Sequence, residues 1–192
     1  FTLVVFSAMI VYHEETTFKE VGVLYSMVIL IPSALQTLVS LRDLNQDHGM
    51  FYVFIAVLSA WAADVGAYFA GTFFGKHKLC PTISPKKTVE GAVGGVIVDV
   101  LVMLLCGVLF SQAFYQGQVQ VNYLVLLIIG LFGSVLSILG DLSFSIIKRS
   151  CHIKDFGQVI PGHGGILDRF DSVIFTAPFV YLLVGFLPLV GA

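Results

Sequence analysis

Residues Asn122–Ile147 read N-Y-L-V-L-L-I-I-G-L-F-G-S-V-L-S-I-L-G-D-L-S-F-S-I-I, with no charge before Asp141. At about 1.5 Å of rise per residue, a helix over this run crosses a hydrocarbon core of about 30 Å. The apolar residues are continuous rather than alternating at every second position, which disfavours a membrane barrel. Comparable runs cover Val21–Leu41, Met50–Gly75, Val89–Ala113 and Val173–Gly191. Pro32 and Pro178 lie inside two of them, as membrane helices tolerate. Phe1–Tyr12 is too short for a span, and the sequence predicts that upstream residues are missing and that the chain begins partway into a helix. The expected fold is all-α: a polytopic transmembrane helical bundle of about five full spans plus a truncated N-terminal one. Residues 1–192 would form a single integral membrane domain.

Composition agrees. The 192 residues are 57% hydrophobic and 11% charged, with a mean hydropathy of +0.95. A soluble domain is about a quarter charged, so a soluble or disordered chain is excluded. The net charge of −2 supplies no basic field, and no nucleic acid is expected as a partner. Cys80, Cys106 and Cys151 form no C-x-x-C pair, which argues against a disulfide framework or a zinc cluster. Gly71/Gly75 and Gly91/Gly95 are G-x-x-x-G pairs, read as close helix packing.

The basic residues are unevenly placed. Lys76, Lys78, Lys86 and Lys87 fall in residues 76–90; Lys148, Arg149, Lys154 and Arg169 fall in residues 148–172. Two spans separate these stretches, so both emerge on the same side. The positive-inside rule puts them in the cytoplasm, where they are expected to form active-site loops. A soluble anion and anionic lipid head groups could both reach them there.

Asp64, Asp99 and Asp141 interrupt apolar segments. An ionised carboxylate in hydrocarbon costs about 2.5–3.5 kcal/mol on insertion scales, so each needs a partner. For Asp64 and Asp141 a structural hydrogen bond and a functional role both remain open. Asp99 has no polar neighbour within a turn and reads as structural. Asp141, Ser145 and Lys148 recur at i, i+4 and i+7, one stripe of a helix. An acid, a hydroxyl and an amine on that stripe suit a magnesium–phosphate site, although a snorkelling lysine at a helix end explains Lys148 as well.

The stretch that follows, Ser145–Asp171, is S-I-I-K-R-S-C-H-I-K-D-F-G-Q-V-I-P-G-H-G-G-I-L-D-R-F-D. Its glycines permit close approach of backbone to a ligand, and free N–H groups in such turns bind anions. Asp168 and Asp171 would share a face of a helical turn. Paired carboxylates in a phosphate-binding loop suggest a divalent metal.

This stretch resembles the motif of phosphatidate cytidylyltransferases, the CDP-diacylglycerol synthases: S-x-x-K-R-x4-K-D, then G, then P-x-H-G-G-x-x-D-R-x-D. Ser145, Lys148, Arg149, Lys154, Asp155, Gly157, Pro161, His163, Gly164, Gly165, Asp168, Arg169 and Asp171 stand in register. An upstream stretch is similar to the same family: Trp61–Asp64, Ala67–Gly71, Phe74–Leu79 and Ile83–Gly91. The resemblance runs from about Trp61 to Asp171; before about Met50 the chain matches only as generic membrane helix. It implies an enzyme of phospholipid biosynthesis that joins CTP to phosphatidic acid, giving CDP-diacylglycerol and pyrophosphate. It also implies Mg²⁺, K⁺ as a candidate to share the site, a homodimer, and a setting in membrane lipid, with the bacterial plasma membrane as the expected location.

Within that resemblance, Asp141 and Asp168 are expected to hold Mg²⁺, with Asp171 as the closely placed second-choice ligand. Lys148, Arg149 and Arg169 would bind phosphates, and Ser145 would hydrogen-bond a phosphate or the metal shell. Lys154 is a further substrate-binding candidate. His163, Gly164 and Gly165 would shape the nucleotide loop, unless His163 is only structural. Lys86, Lys87 and Thr88 precede the helix near Val89 and could grip phosphates at its N-terminus; a solvated loop is the alternative. Glu90 reads as a cap or a salt bridge. Asp64 is a possible site residue.

Three other functions compete. An aspartyl protease would need G-x-G-D, but Ile138 replaces the first glycine. A CTP-dependent polyprenol or lipid kinase would share the nucleotide. A non-enzymatic ion-coupled transporter would use the intramembrane acids. The CDP-alcohol phosphotransferase pattern is absent.

Overall fold

The computed structural model describes residues 1–45, 47–114, 119–157 and 164–191. Among the described residues, seven helices and four short strands run in the order α1 (Thr2–Val11), α2 (Phe18–Leu44), α3 (Gly49–Phe74), β1 (Lys78–Cys80), β2 (Ser84–Thr88), α4 (Val89–Leu109), β3 (Gln120–Val121), α5 (Tyr123–Ser150), α6 (Leu167–Phe170), α7 (Val173–Phe186) and β4 (Val190–Gly191). A π turn, Phe110–Phe114, extends α4. Among the described residues, five stretches are long and apolar enough to cross a membrane: Phe18–Leu44, Gly49–Phe74, Val89–Ala113, Tyr123–Ser150 and Leu167–Phe186. The protein is a helical bundle of the integral membrane class, as its sequence predicts.

The helices start where short polar side chains satisfy the free N–H groups of the first turn. Thr17 and Glu20 form a capping box on α2. Thr88 accepts the Gly91 N–H on α4, and Asn122 accepts those of Leu124 and Val125 on α5. The end of α5 is a Schellman turn. His152 takes a left-handed φ of 56°, and the Ile153 N–H reaches back to the Lys148 carbonyl at 2.9 Å.

Close approach of α3 and α4 explains both glycine pairs. A Cβ on Gly95 would stand 2.8 Å from the Ala63 carbonyl oxygen, and one on Gly91 would stand 2.8 Å from that of Ala67. Lipid tails give helices little hydrophobic reason to associate, so small residues that let backbones approach supply the packing. The main core gathers Leu41, Tyr52, Ile55, Met103, Leu126, Ile129 and Val180. A smaller one joins Ala34 of α2, Phe144 of α5 and Ile174 of α7.

Two expectations need correction. The last span does not run to Gly191. Pro188 restricts Leu187 to an extended conformation (φ −126°, ψ 97°), so α7 stops at Phe186. Val190 and Gly191 then pair with Val121 and Gln120 in an antiparallel ribbon. Nor is the basic stretch after α3 an irregular loop. Lys78–Thr88 forms an antiparallel hairpin, with Lys78 opposite Thr88 and Cys80 opposite Ser84.

The direction of the helices sets up the site. The end of α3, the hairpin, the start of α4, the end of α5 and the start of α7 all meet at one end of the bundle. The β3–β4 ribbon lies at the other end, where α4 and α7 finish and α5 begins.

Candidate active site

A cavity of about 640 Å³ opens at this end. It is lined by Asp64, Tyr68 and Thr72 of α3; Lys78, Ser84, Lys86, Lys87 and Thr88 of the hairpin; Asp141 and Lys148 of α5; and Asp155, Asp168, Arg169 and Asp171 beyond it. Residues far apart in sequence, from both basic stretches and three helices, therefore share one wall.

The loop after α5 is organised around Asp168. Its Oδ2 accepts the Phe156 and Gly165 N–H groups, each at 2.9 Å, and its Oδ1 accepts Lys148 Nζ at 2.9 Å. Gly164 adopts φ +81°, in the left-handed region that disfavours side chains, and a Cβ there would stand 3.0 Å from Asp168 Oδ2. The glycine thus lets the chain close around the carboxylate. Lys148 Nζ is also 3.9 Å from Asp171 Oδ2 and 5.5 Å from the centre of the Phe156 ring. The Lys148 side chain is 11% exposed and that of Asp168 is 5% exposed, so this is a buried ion pair with its remaining valences largely satisfied. Asp168 and Asp171 both approach the Lys148 ammonium.

Asp141 makes a different set of contacts. Its Oδ2 lies 2.5 Å from Lys87 Nζ, and its Oδ1 accepts Ser145 Oγ at 3.4 Å. Two residues that sequence reasoning left unassigned hold the other acids. Ser137 and Ser172 donate to Asp64 at 3.1 and 2.9 Å, and the Ser172 N–H donates to Asp171 Oδ1 at 2.8 Å. Ser172 immediately follows the motif and Ser137 lies one turn before Asp141; adjacency was the only signal either carried. Lys78, Tyr68, Thr72 and Ser84 are further cavity residues that drew no separate assignment.

Not every candidate reaches the cavity. Arg149 is exposed and donates to the Ile153 carbonyl at 3.4 Å, and Lys154 is exposed. Gly164 and Gly165 act through Asp168. Ser145 is buried behind Asp141. His163 lies outside the described residues, as do Pro161 and Gly162. Glu90 is a latch: it accepts the Lys76 and His77 N–H groups at 3.0 and 3.1 Å and pairs with His77 Nδ1 at 2.6 Å, tying the hairpin to α4. Trp61 donates its indole N–H to the Arg169 carbonyl at 3.2 Å, pinning α6 to α3.

Among the described residues, no three or more acid, histidine or cysteine side chains form a ready-made metal cage. The cavity's carboxylates are instead held by ammonium and hydroxyl groups. That donor set still fits Mg²⁺, which is commonly bound through one or two carboxylates plus substrate phosphates rather than in an all-protein cage.

Comparison with known proteins places the chain among cytidylyltransferases. The profile of the cytidylyltransferase family matches residues 1–187. The chain is 44% identical to the phosphatidate cytidylyltransferase of Bacillus subtilis (strain 168) over 168 residues, 88% of this chain and 60% of the relative. It is 43% identical to the phosphatidate cytidylyltransferase of Staphylococcus haemolyticus and 42% identical to that of Staphylococcus aureus (strain COL). Each of those matches covers 140 residues, 73% of this chain and 51% of the relative. The chain therefore spans half to three-fifths of the length of these relatives. With a match over nearly its whole length, the chain belongs to the cytidylyltransferase family.

Proposed function

We propose that this chain carries phosphatidate cytidylyltransferase activity, an in-line nucleotidyl transfer in phospholipid biosynthesis. A phosphatidate oxygen bonds to the α-phosphorus of CTP, the bond from that phosphorus to the β-phosphate bridging oxygen breaks, and pyrophosphate leaves. The observation that carries the reading is the shared cavity at the end of an apolar bundle, with five cations (Lys78, Lys86, Lys87, Lys148, Arg169) facing five acids (Asp64, Asp141, Asp155, Asp168, Asp171). Both substrates are anionic and repel one another, so a site must neutralise them together. One is a lipid and one is soluble, so the site must lie where a membrane bundle opens to water.

The chain's own residues would then divide the work. Lys86, Lys87, Lys148 and Arg169 bind and orient phosphate oxygens beside the start of α4, which Thr88 caps. Asp141 and Asp171, with Asp168 Oδ1, would hold Mg²⁺, which supplies charge neutralisation at the transferring phosphate. Ser145 and Ser172 orient those carboxylates, and Asp64 joins them through Ser172. Asp168 Oδ2 keeps the loop folded. Arg149 and Lys154, at the exposed edge, would meet lipid head groups or incoming nucleotide. K⁺ and a homodimer enter this reading through the family resemblance alone. The two basic stretches, residues 76–90 and 148–172, would lie on the cytoplasmic side, in keeping with the positive-inside rule.

The test is product analysis. Membranes carrying the protein receive labelled CTP, phosphatidic acid and Mg²⁺. The expected products are CDP-diacylglycerol and pyrophosphate in equal amounts, lost in Asp141→Asn. CDP with a phosphorylated lipid would instead mark a lipid kinase, and ion flux without CTP turnover would mark a transporter.

A further inference from the structure

Lys87 differs from the other buried cation of the cavity. Lys148 has two carboxylates and an aromatic face around it. The Lys87 ammonium is shut off from solvent, and among the described residues its one ion pair is to the Asp141 carboxylate. The Lys87 side chain is 22% exposed and that of Asp141 is 28% exposed, so both retain a surface toward the cavity they line. The backbone beneath Lys87 is fixed by the hairpin pairing and by the Thr88 cap on α4.

We propose that Lys87 is an exchangeable counterion for Asp141. A divalent cation that takes the carboxylate releases the ammonium to a nucleotide phosphate, so that metal and nucleotide binding are coupled through this one pair. The inference rests on the proposed function for the identity of the two ligands. Its physical basis is the cost of a desolvated charge without a partner. A metal on Asp141 leaves the Lys87 ammonium buried and unpaired, and a phosphate oxygen restores what it lost. A phosphate that draws Lys87 away equally leaves Asp141 unpaired and ready for a cation. Such coupling is reciprocal by necessity. Each ligand alone must first break the ion pair, and together they replace it.

The consequence is counterintuitive. Each half of the pair, when removed, should strengthen binding of the other half's ligand. The protein in lipid nanodiscs would be titrated with Mn²⁺ alone, a hard-oxygen probe read by electron paramagnetic resonance of the free ion. Lys87→Met is expected to bind Mn²⁺ roughly 5-fold or more tightly than the parent, the low end of ordinary coupling factors. It should also bind CTP more weakly when Mn²⁺ is present. In EDTA, Asp141→Asn is expected to bind CTP more tightly than the parent. Lys87→Arg keeps the charge and should keep the parent's Mn²⁺ affinity, and circular dichroism would establish that each variant folds. Lys86→Met removes a neighbouring cavity cation without touching Asp141, and should shift Mn²⁺ binding far less. Unchanged or weaker Mn²⁺ binding in Lys87→Met overturns the exchange, as does an equal shift in Lys86→Met, which would reveal only a general field. CTP that binds the parent normally alongside either result leaves the cytidylyltransferase reading standing. CTP that fails to bind the parent even with Mn²⁺ removes that reading, and the nucleotide half of the exchange with it.

Discussion

Asp99 and Asp141 are both acids set into apolar spans, each with a serine donor, but only Asp141 also meets a cation and lines the cavity. Asp99 is fully buried in α4, where Ser59 of α3 donates to its Oδ2 at 2.7 Å. No cation and no cavity accompanies it among the described residues. Asp141 meets a lysine from the hairpin and a serine one turn along its own helix, and it faces a 640 Å³ cavity with four other acids. An acid in a membrane span is thus not by itself a site. What separates the two is company: cations from distant elements and an opening through which a ligand can come. Asp99 joins two helices by a hydrogen bond that neither could make alone, as its lack of local polar neighbours suggests.

The sharpest way to break this contrast is to neutralise one acid of each kind. Asp141→Asn is expected to lower kcat/KM for CDP-diacylglycerol formation by about 10²–10³-fold, the scale of losing one preorganised electrostatic group. Asp99→Asn should leave turnover within a few-fold of the parent, because Asp99 does not line the cavity and its hydrogen bond is to Ser59. Equal losses in the two variants, measured in the same lipid assay, would erase the distinction.

Packing supplies the next largest effect. Gly95→Val places side-chain atoms against the Ala63 carbonyl in the α3–α4 contact, and overpacking of that kind costs about 1–3 kcal/mol. The expected outcome is a lower thermal midpoint in detergent, with activity lost in proportion to folded protein. A normal midpoint with lost activity would move Gly95 from the scaffold to the site.

Gly164→Ala acts on the loop rather than the bundle. A left-handed residue with a Cβ costs about 1–2 kcal/mol, and the new methyl crowds Asp168 Oδ2. CTP affinity should fall while helix content stays constant. The smallest effect is expected from Glu90→Gln, which weakens the latch between the hairpin and α4. It should raise the KM for CTP several-fold and leave kcat nearly unchanged; a change in kcat alone would place Glu90 in the chemistry instead.

Much of this is legible in the sequence. A span of Asn122–Ile147 needs only length and continuity, because in lipid every backbone polar group must be satisfied within the segment and a helix does this. The pairs Gly71/Gly75 and Gly91/Gly95 read correctly as packing for the same local reason. Errors arose where one residue overrules a hydropathy run. Pro188 ended α7 early, although the apolar composition continues to Val190. The hairpin is not legible in the sequence because Lys78–Thr88 is basic and proline-bearing, and Glu90, which accepts the Lys76 and His77 N–H groups beside it, lies beyond its end.

The sequence by itself determined the class of fold, the two basic stretches on a common side and the motif residues from Ser145 to Asp171. The first two follow from spacing along the chain, and the motif residues follow from the family resemblance. Only the tertiary structure decided which acids have which partners. Lys87 lies far from Asp141 in sequence, and Ser137 and Ser172 reach Asp64 from different helices. It also separated Lys148, enclosed by Asp168, Asp171 and Phe156, from Arg149 beside it, which points outward. Two adjacent basic residues look alike in a sequence. On a helix they stand about 100° apart, and the bundle buries only one of those directions.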